Sequence, residues 1–355
     1  MTARTRLAVP APLLEADVRT GRGRMWHEVL TRLGRSCDIW SVDGARRSRI
    51  AFRRPDAWLF DGHNGPLDVR EPQVIQLHEA PWNDPDTMGT LEDHFVDRVV
   101  EPSRRAAAVA GAIVCPSESS RRQIVEDCAV SPDMVFAAHH GVDHATFHPG
   151  LEGGTAVAVA SGADGSRPYI LTVASLHPRK NLVALREAVL RLAADGYPHQ
   201  LVVVGAPAWG RTDAEAQGAA VVADSAAFPG RVVAVPFGIS DADLAALMGG
   251  AAVFCLPSLS EGFGLPAAEA MACGTPTVVS NRAALREVGG DAAVLVEPDA
   301  DSISAGIRAL LDDPVLAKDV GYACATRAQE FSWDTCAGIW LSAIEFALTG
   351  SRRHD

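Results

Sequence analysis

The stretch Pro257-Ser258-Leu259-Ser260-Glu261-Gly262-Phe263-Gly264-Leu265-Pro266-Ala267-Ala268-Glu269 constrains this chain more than any other. The run before it, Ala251-Ala252-Val253-Phe254-Cys255-Leu256, is apolar and of buried-strand type. Pro266 stands where a helix starts, because the fixed φ of proline suits the first helical position. A strand, a glycine loop and a helix in that order belong to an α/β sheet. Glycines at 262 and 264 let the backbone approach a ligand closely, and the N–H groups of a helix N-terminus make an anion site. Two carboxylates flank it, Glu261 on the loop and Glu269 in the expected first helical turn. They would repel a bare phosphate, so they suit hydroxyls attached to a phosphorylated group, as in a nucleotide sugar. By spacing alone, Glu261 is equally a solvated loop residue and Glu269 a partner of the helix dipole.

The rest of the chain repeats the strand-and-helix alternation twice. Strand-like runs at Leu7–Pro10, Ile39–Val42, Ala57–Phe60, Val74–His78, Ala112–Cys115 and Met134–His139 alternate with helical patterns near 24–34, 90–110 and 117–128, the last with Ser117 and Ser119 as candidate caps. This implies a parallel sheet covered on both faces. From Leu151 to Arg167 the sequence turns to Gly, Ala, Ser and Asp without periodicity and reads as a linker. Alternation then resumes with Tyr169–Val173, a helix from about 181, Leu201–Val204, Arg231–Val235 and a helix opened by Ser240. The expected organisation is an N-terminal domain over 1–155, a second over 166–333, and a terminal helix over 334–355.

The charges of the chain are unevenly placed. Its net charge is −12, yet residues 1–60 hold twelve arginines against six acids, +6 locally and −18 for the remainder. The total excludes a general nucleic-acid binder; the basic end suits an acidic acceptor or anionic lipid headgroups, or is ordinary solvated surface. Lys180 and Lys318 are the two lysines among 32 basic residues, which fits a GC-rich, bacterial coding sequence. No run reaches the ~20 apolar residues of a membrane span, and the N-terminus lacks a signal-peptide core, so a cytoplasmic location is expected, with a peripheral membrane contact left open. Seven scattered cysteines show no zinc spacing and read as reduced thiols. Asp241-Ala242-Asp243 and Asp299-Ala300-Asp301 imitate a metal-binding D-x-D, but each opens a helix, where acids act as caps; no metal is expected.

The opening stretch, continued by Ala270-Met271-Ala272-Cys273-Gly274-Thr275-Pro276, resembles the signature of the retaining GT-B-fold glycosyltransferases of family 4 almost residue for residue. The likeness runs on through Thr277–Asn281, Leu285–Val288 and Ala293–Pro298, and Phe331-Ser332-Trp333 resembles the family's final helix, which in that fold returns to the N-terminal domain. It implies two Rossmann-like domains facing across a cleft, the first holding an acceptor and the second a nucleotide sugar. By the same resemblance Glu261 contacts the transferred sugar and Glu269 the nucleotide ribose, while the amides of Phe263, Gly264 and Leu265 face the diphosphate. Pro178-Arg179-Lys180-Asn181-Leu182 resembles the phosphate-binding segment. Fixed cations there would stabilise a leaving diphosphate more than the ground state. Many members carry Gly and Arg where this chain has Ala174 and Ser175, which moves that duty to Arg179.

Gly21-Arg22-Gly23-Arg24 follows the first strand, where open α/β sheets bind ligands, and lacks the third glycine of a dinucleotide fingerprint. It resembles the family's loop facing the donor phosphate, which makes Gly21 and Gly23 donor contacts. His78, at a strand's carboxyl end, is either a satisfied structural histidine or the family's histidine against the donor sugar. His139–Asp143 with Phe147 and Pro149 resembles a cleft-shaping segment. Trp209, after a strand, either stacks on the base or packs locally. The resulting expectation is a metal-independent, cofactor-free, retaining transfer from a UDP- or GDP-sugar to an acceptor hydroxyl of a glycan, lipid-linked intermediate or small metabolite, with Arg179, Lys180, Glu261 and His78 catalytic. The alternatives are a glycoside hydrolase using Glu261 and Glu269, and a silent partner subunit of the same fold.

Overall fold

The computed structural model describes residues 4–42, 54–80, 82, 87, 96–205, 229–236 and 238–351. Their contacts form two units, Met1–Gly141 with Ser332–Asp355, and Val142–Phe331. Trp209 lies outside the described residues.

Unit 1 is a parallel sheet of β1 (Arg6–Pro10), β2 (Asp38–Val42), β3 (Ala57–Asp61), β4 (Gln73–Gln76), β5 (Ala112–Cys115) and β6 (Val135–Ala137). Its order is β2-β1-β3-β4-β5-β6, with β3 and β4 in register from Trp58↔Gln73 to Asp61↔Gln76. The strands β3, β4 and β5 are buried at every position, as strands covered on both faces are, and in β4 that includes Gln73 and Gln76. The helix Gly21–Leu33 lays Met25, Trp26, Val29, Leu30 and Leu33 into the core at helical spacing. The terminal helix Trp333–Ser351 packs on the same core, with Trp340 against Trp26 at a centroid distance of 5.3 Å. At about 25 cal/mol per Å², each indole's burial contributes on the order of 5 kcal/mol before entropy costs.

Unit 2 holds β7 (Tyr169–Val173), β8 (Gln200–Gly205), β9 (Val232–Pro236), β10 (Val253–Leu256), β11 (Thr277–Ser280) and β12 (Val294–Val296), all parallel, in the order β12-β11-β10-β7-β8-β9. Alternate residues feed two cores. Leu171, Val202, Val204 and Phe254 face the helices Asp241–Gly250 and Leu265–Ala272, while Ile170, Leu201, Val203 and Val253 face Leu182–Ala194 and Ala300–Asp312.

Four expectations need correction. The segment expected as a linker contains the helix Gly154–Ala160, which packs on Asp241–Gly250 and belongs to unit 2 from Val142 onward. Its small, unpatterned residues hid it because a helix packed closely on another needs no large apolar stripe. The helix after β1 starts at Gly21, earlier than 24, because Thr20 caps it by accepting from the Gly23 N–H at 3.0 Å. Glu269 stands fifth in the helix Leu265–Ala272, past its first turn, because that helix starts at Leu265, just after Gly264. The caps Ser117, Ser240 and Asp299 are as read: each accepts a first-turn N–H. Ser119 lies inside its helix.

Candidate active site

In a doubly wound sheet the ligand crevice opens where strand order reverses, at the carboxyl ends of the strands. In unit 2 that point lies between β7 and β10. Arg179 and Lys180 follow β7 and Glu261 follows β10, so residues 81 positions apart in sequence meet there. The turn Pro178–Lys180 is shaped by His177, whose Nδ1 accepts from the Arg179 N–H at 3.1 Å. Asn181 closes it at φ 56°, a left-handed conformation that asparagine tolerates, and its side-chain amide donates to the carbonyls of Pro257 and Pro298. The Leu259 N–H donates to the Arg179 carbonyl at 2.9 Å, stitching the two loops together.

Lys180 Nζ lies 2.7 and 2.6 Å from the two Glu261 carboxylate oxygens, and the Arg179 guanidinium lies 3.8 Å from the nearer one while donating to the Ser260 carbonyl at 2.5 Å. Ser258 Oγ–H donates to Glu261 Oε1 at 2.8 Å. Side-chain exposures of 10% for Glu261, 13% for Lys180 and 19% for Arg179 put the cluster in low dielectric. Burial alone would raise the Glu261 pKa; the charges of Lys180 and Arg179 and the hydrogen bonds from Lys180 and Ser258 outweigh it and hold the carboxyl below its ordinary value. Two cations face this one carboxylate. Gly264, the residue before the helix, has φ 95°, and a Cβ there would stand 2.5 Å from the Leu285 side chain, so only glycine fits. Phe263 is buried edge-on against Phe331 at 5.4 Å, and Glu269 is buried.

Unit 1 reverses its order between β1 and β3, and a second cluster stands there. Asp61, buried at the end of β3, receives Arg22 Nε on Oδ2 at 2.6 Å and the His63 N–H on Oδ1 at 3.0 Å. His78 Nε2 lies 3.6 Å from Asp61 Oδ2, and its Nδ1 is 3.3 Å from the Gln76 amide nitrogen. Burial alone would raise the Asp61 pKa, but His78, His63 and Arg22 hold it well below the carboxylate range. The Gly23 N–H is engaged by Thr20, and a Cβ on Gly23 would stand 2.0 Å from the Asp17 carbonyl, so packing explains this glycine; Gly21 has open space around it. His140 is buried and stacked on Trp333 at 5.6 Å.

The structure thus joins Arg179, Lys180 and Glu261 in one cluster and places His78 in another. The sequence reading gave no role to His177, Asn181, Ser258, Asp61 or His63. The signal for the last two was a D-x-H placed directly after an apolar strand.

Each unit of the chain is a Rossmann-like domain, and together they define the GT-B class. The solved sucrose-phosphate synthase from Thermosynechococcus elongatus matches with a TM-score of 0.73 at 18% identity, over 94% of this chain and 96% of that one. A protein from Anabaena, solved in complex with UDP and glucose, matches with a TM-score of 0.70 at 14% identity, over 97% of this chain and the whole of that one. Residues 157–327, most of unit 2, match the family described as glycosyl transferases group 1. The MMP alpha-(1->4)-mannosyltransferase of Mycolicibacterium hassiacum is 35% identical over 255 residues, 70% of this chain. The match spans 57% of that relative, little more than half its length.

Proposed function

We propose that the chain transfers a sugar from a nucleotide diphosphate sugar to an acceptor hydroxyl, with retention at the anomeric carbon and without a divalent metal. The observation that carries this is the pairing of Arg179 and Lys180 with Glu261 at the β7–β10 reversal of unit 2. Charge on the leaving diphosphate grows as the glycosidic bond breaks, and two fixed cations held by one carboxylate keep a surplus positive charge for it. Glu261, already ionised, accepts hydrogen bonds from hydroxyls of the transferred sugar, and Glu269 from the ribose. The departing diphosphate takes the acceptor proton on the face it leaves, as the likeness to a retaining family supports. Unit 1 then holds the acceptor, a glycan, a lipid-linked intermediate or a small metabolite, with His78 at the sugar. UDP and GDP sugars are the donor candidates; a mannosyl donor heads them because a 35% identical relative is named a mannosyltransferase.

A glycoside hydrolase would need one glutamate kept protonated by a raised pKa. Glu261 is shifted the other way. The deciding assay follows acceptor-free release of UDP or GDP from a panel of UDP- and GDP-sugars in the presence of EDTA. Slow release from at least one donor is expected; release from none, with cleavage of a nitrophenyl glycoside instead, would replace transfer by hydrolysis. No helix among the described residues is long and apolar enough to cross a membrane.

A further inference from the structure

The peptide after β4 has a hydrogen-bonding problem that the sequence solves with a side chain. Backbone N–H groups alternate between the two neighbouring strands along a parallel strand. Past Gln76, the Leu77 N–H reaches Val114 of β5 at 3.0 Å. The next N–H, on His78, points the other way, where β3 has already ended at Asp61 and turned into Gly62–Asn64. No strand partner remains, and an unpaired buried amide costs stability and order. His63 Nε2 takes its place, accepting the His78 N–H at 3.1 Å.

The neighbours of His63 set which nitrogen carries its proton. Ser103 Oγ–H donates to the Val99 carbonyl at 2.6 Å, so its oxygen is left to accept from His63 Nδ1–H at 2.9 Å. Nε2 then has the lone pair that the His78 N–H requires. The two imidazoles stack at 5.7 Å and 7°, and Trp82 meets His63 edge-on at 6.4 Å. Asp61, Arg22 and His78 are the charged or titratable groups acting on His63, and burial pushes its pKa down to about 4, in keeping with a neutral ring.

We infer that His63 is a positioning residue for the transfer reaction: as a neutral imidazole protonated on Nδ1, it fixes the backbone of His78 and so the place of the His78 ring. This rests on the assignment of His78 to the transferred sugar.

The test has two arms. Long-range ¹H–¹⁵N spectra of the ¹⁵N-histidine-labelled full chain at pH 7 read the tautomer directly and need no ligand; an Nδ1–H neutral ring is expected, and an Nε2–H ring or an imidazolium overturns the inference. The second arm measures turnover and KM for UDP-glucose and GDP-mannose hydrolysis in His63→Ala, His63→Gln and His78→Ala. Loss of the amide's acceptor in His63→Ala should lower kcat about tenfold with donor KM little changed. His63→Gln, whose amide oxygen reaches the Nε2 position, should recover most of it. Wild-type kcat in His63→Ala, or a His63→Gln variant no better than the alanine, overturns the inference. Full turnover in all three, His78→Ala included, removes the His78 assignment and the inference with it, while donor hydrolysis by the wild type leaves the proposed reaction standing.

Discussion

The two sheets reverse their strand order beside their own first strands, and each reversal gathers charge, but of different kinds. In unit 2, two permanent cations face one ionised carboxylate, all nearly buried. In unit 1, one buried carboxylate faces one arginine and two imidazoles. A permanent surplus charge in low dielectric attracts a diphosphate strongly. Imidazoles beside a carboxylate already paired with an arginine offer directional hydrogen bonds, which suit sugar hydroxyls. One topology therefore serves two chemistries, and the side chains at the reversal decide which.

The units also differ in how they are closed, and the largest effect is expected there. Trp340 comes from the terminal helix to a core built largely by residues from Leu7 to Ala138, far earlier in the sequence. Trp340→Ala should destabilise unit 1 by about 3–5 kcal/mol, the cost of a large core truncation. Hydrogen exchange resolved by peptide checks this: protection lost in 6–141 but kept in 169–330 is the expected pattern, and uniform loss would show that the units do not unfold separately.

Next in size is Lys180→Ala, expected to lower turnover about 10²–10³-fold, as removal of a charge-stabilising group does. The same steady-state assay on Arg22→Ala in unit 1 should show the smaller loss, about tenfold, since Arg22 is paired with the buried Asp61. Equal losses would erase the contrast between the two clusters.

The smallest expected effect is a difference in acid sensitivity. Burial pushes His63 and His140 of unit 1 down to about 4 and about 3. The unfolded chain protonates them near 6.5 and the folded chain does not, so the unfolded state binds more protons and stability falls from about pH 6.5 toward pH 4. Glu261 of unit 2 is held below its ordinary value of 4.5, so its contribution is full above that pH and is lost only below it. His199 in unit 2 is shifted down as well, but it is only half-buried. Exchange measured across pH 7 to 4.5 should show unit 1 loosening first; the reverse order would contradict these shifts.

How much of this could be read in the sequence follows the same division. The unit 2 cluster was legible because its parts fall in two contiguous strings, 177–182 and 257–269, each carrying strand, turn and helix signals together. What adjacency could not show was that Lys180 and Glu261 share an ion pair, since β7 and β10 neighbour each other only through the order of the sheet. The unit 1 cluster is assembled from three separate places, Arg22 in the short Gly21–Arg24 string, Asp61 with His63, and the lone His78, and no sequence signal joins the three. The helix Gly154–Ala160 escaped because close packing by small residues leaves no periodic stripe. Glycine conformation was partly legible: Gly264 was read as a close-approach residue, whereas Gly23 is held by local packing against Asp17.

The central claim is that the β7–β10 reversal of unit 2 holds the donor diphosphate through Lys180 and Arg179. Thermal shift with a panel of UDP- and GDP-sugars, run in parallel on the wild type and on Lys180→Ala, tests it most directly. A ligand at one hundred times its Kd adds about 2.7 kcal/mol to apparent stability. The account predicts that at least one nucleotide sugar raises the wild-type melting temperature and that the rise largely disappears in Lys180→Ala. No shift from any donor, or the same shift in both proteins, would contradict it.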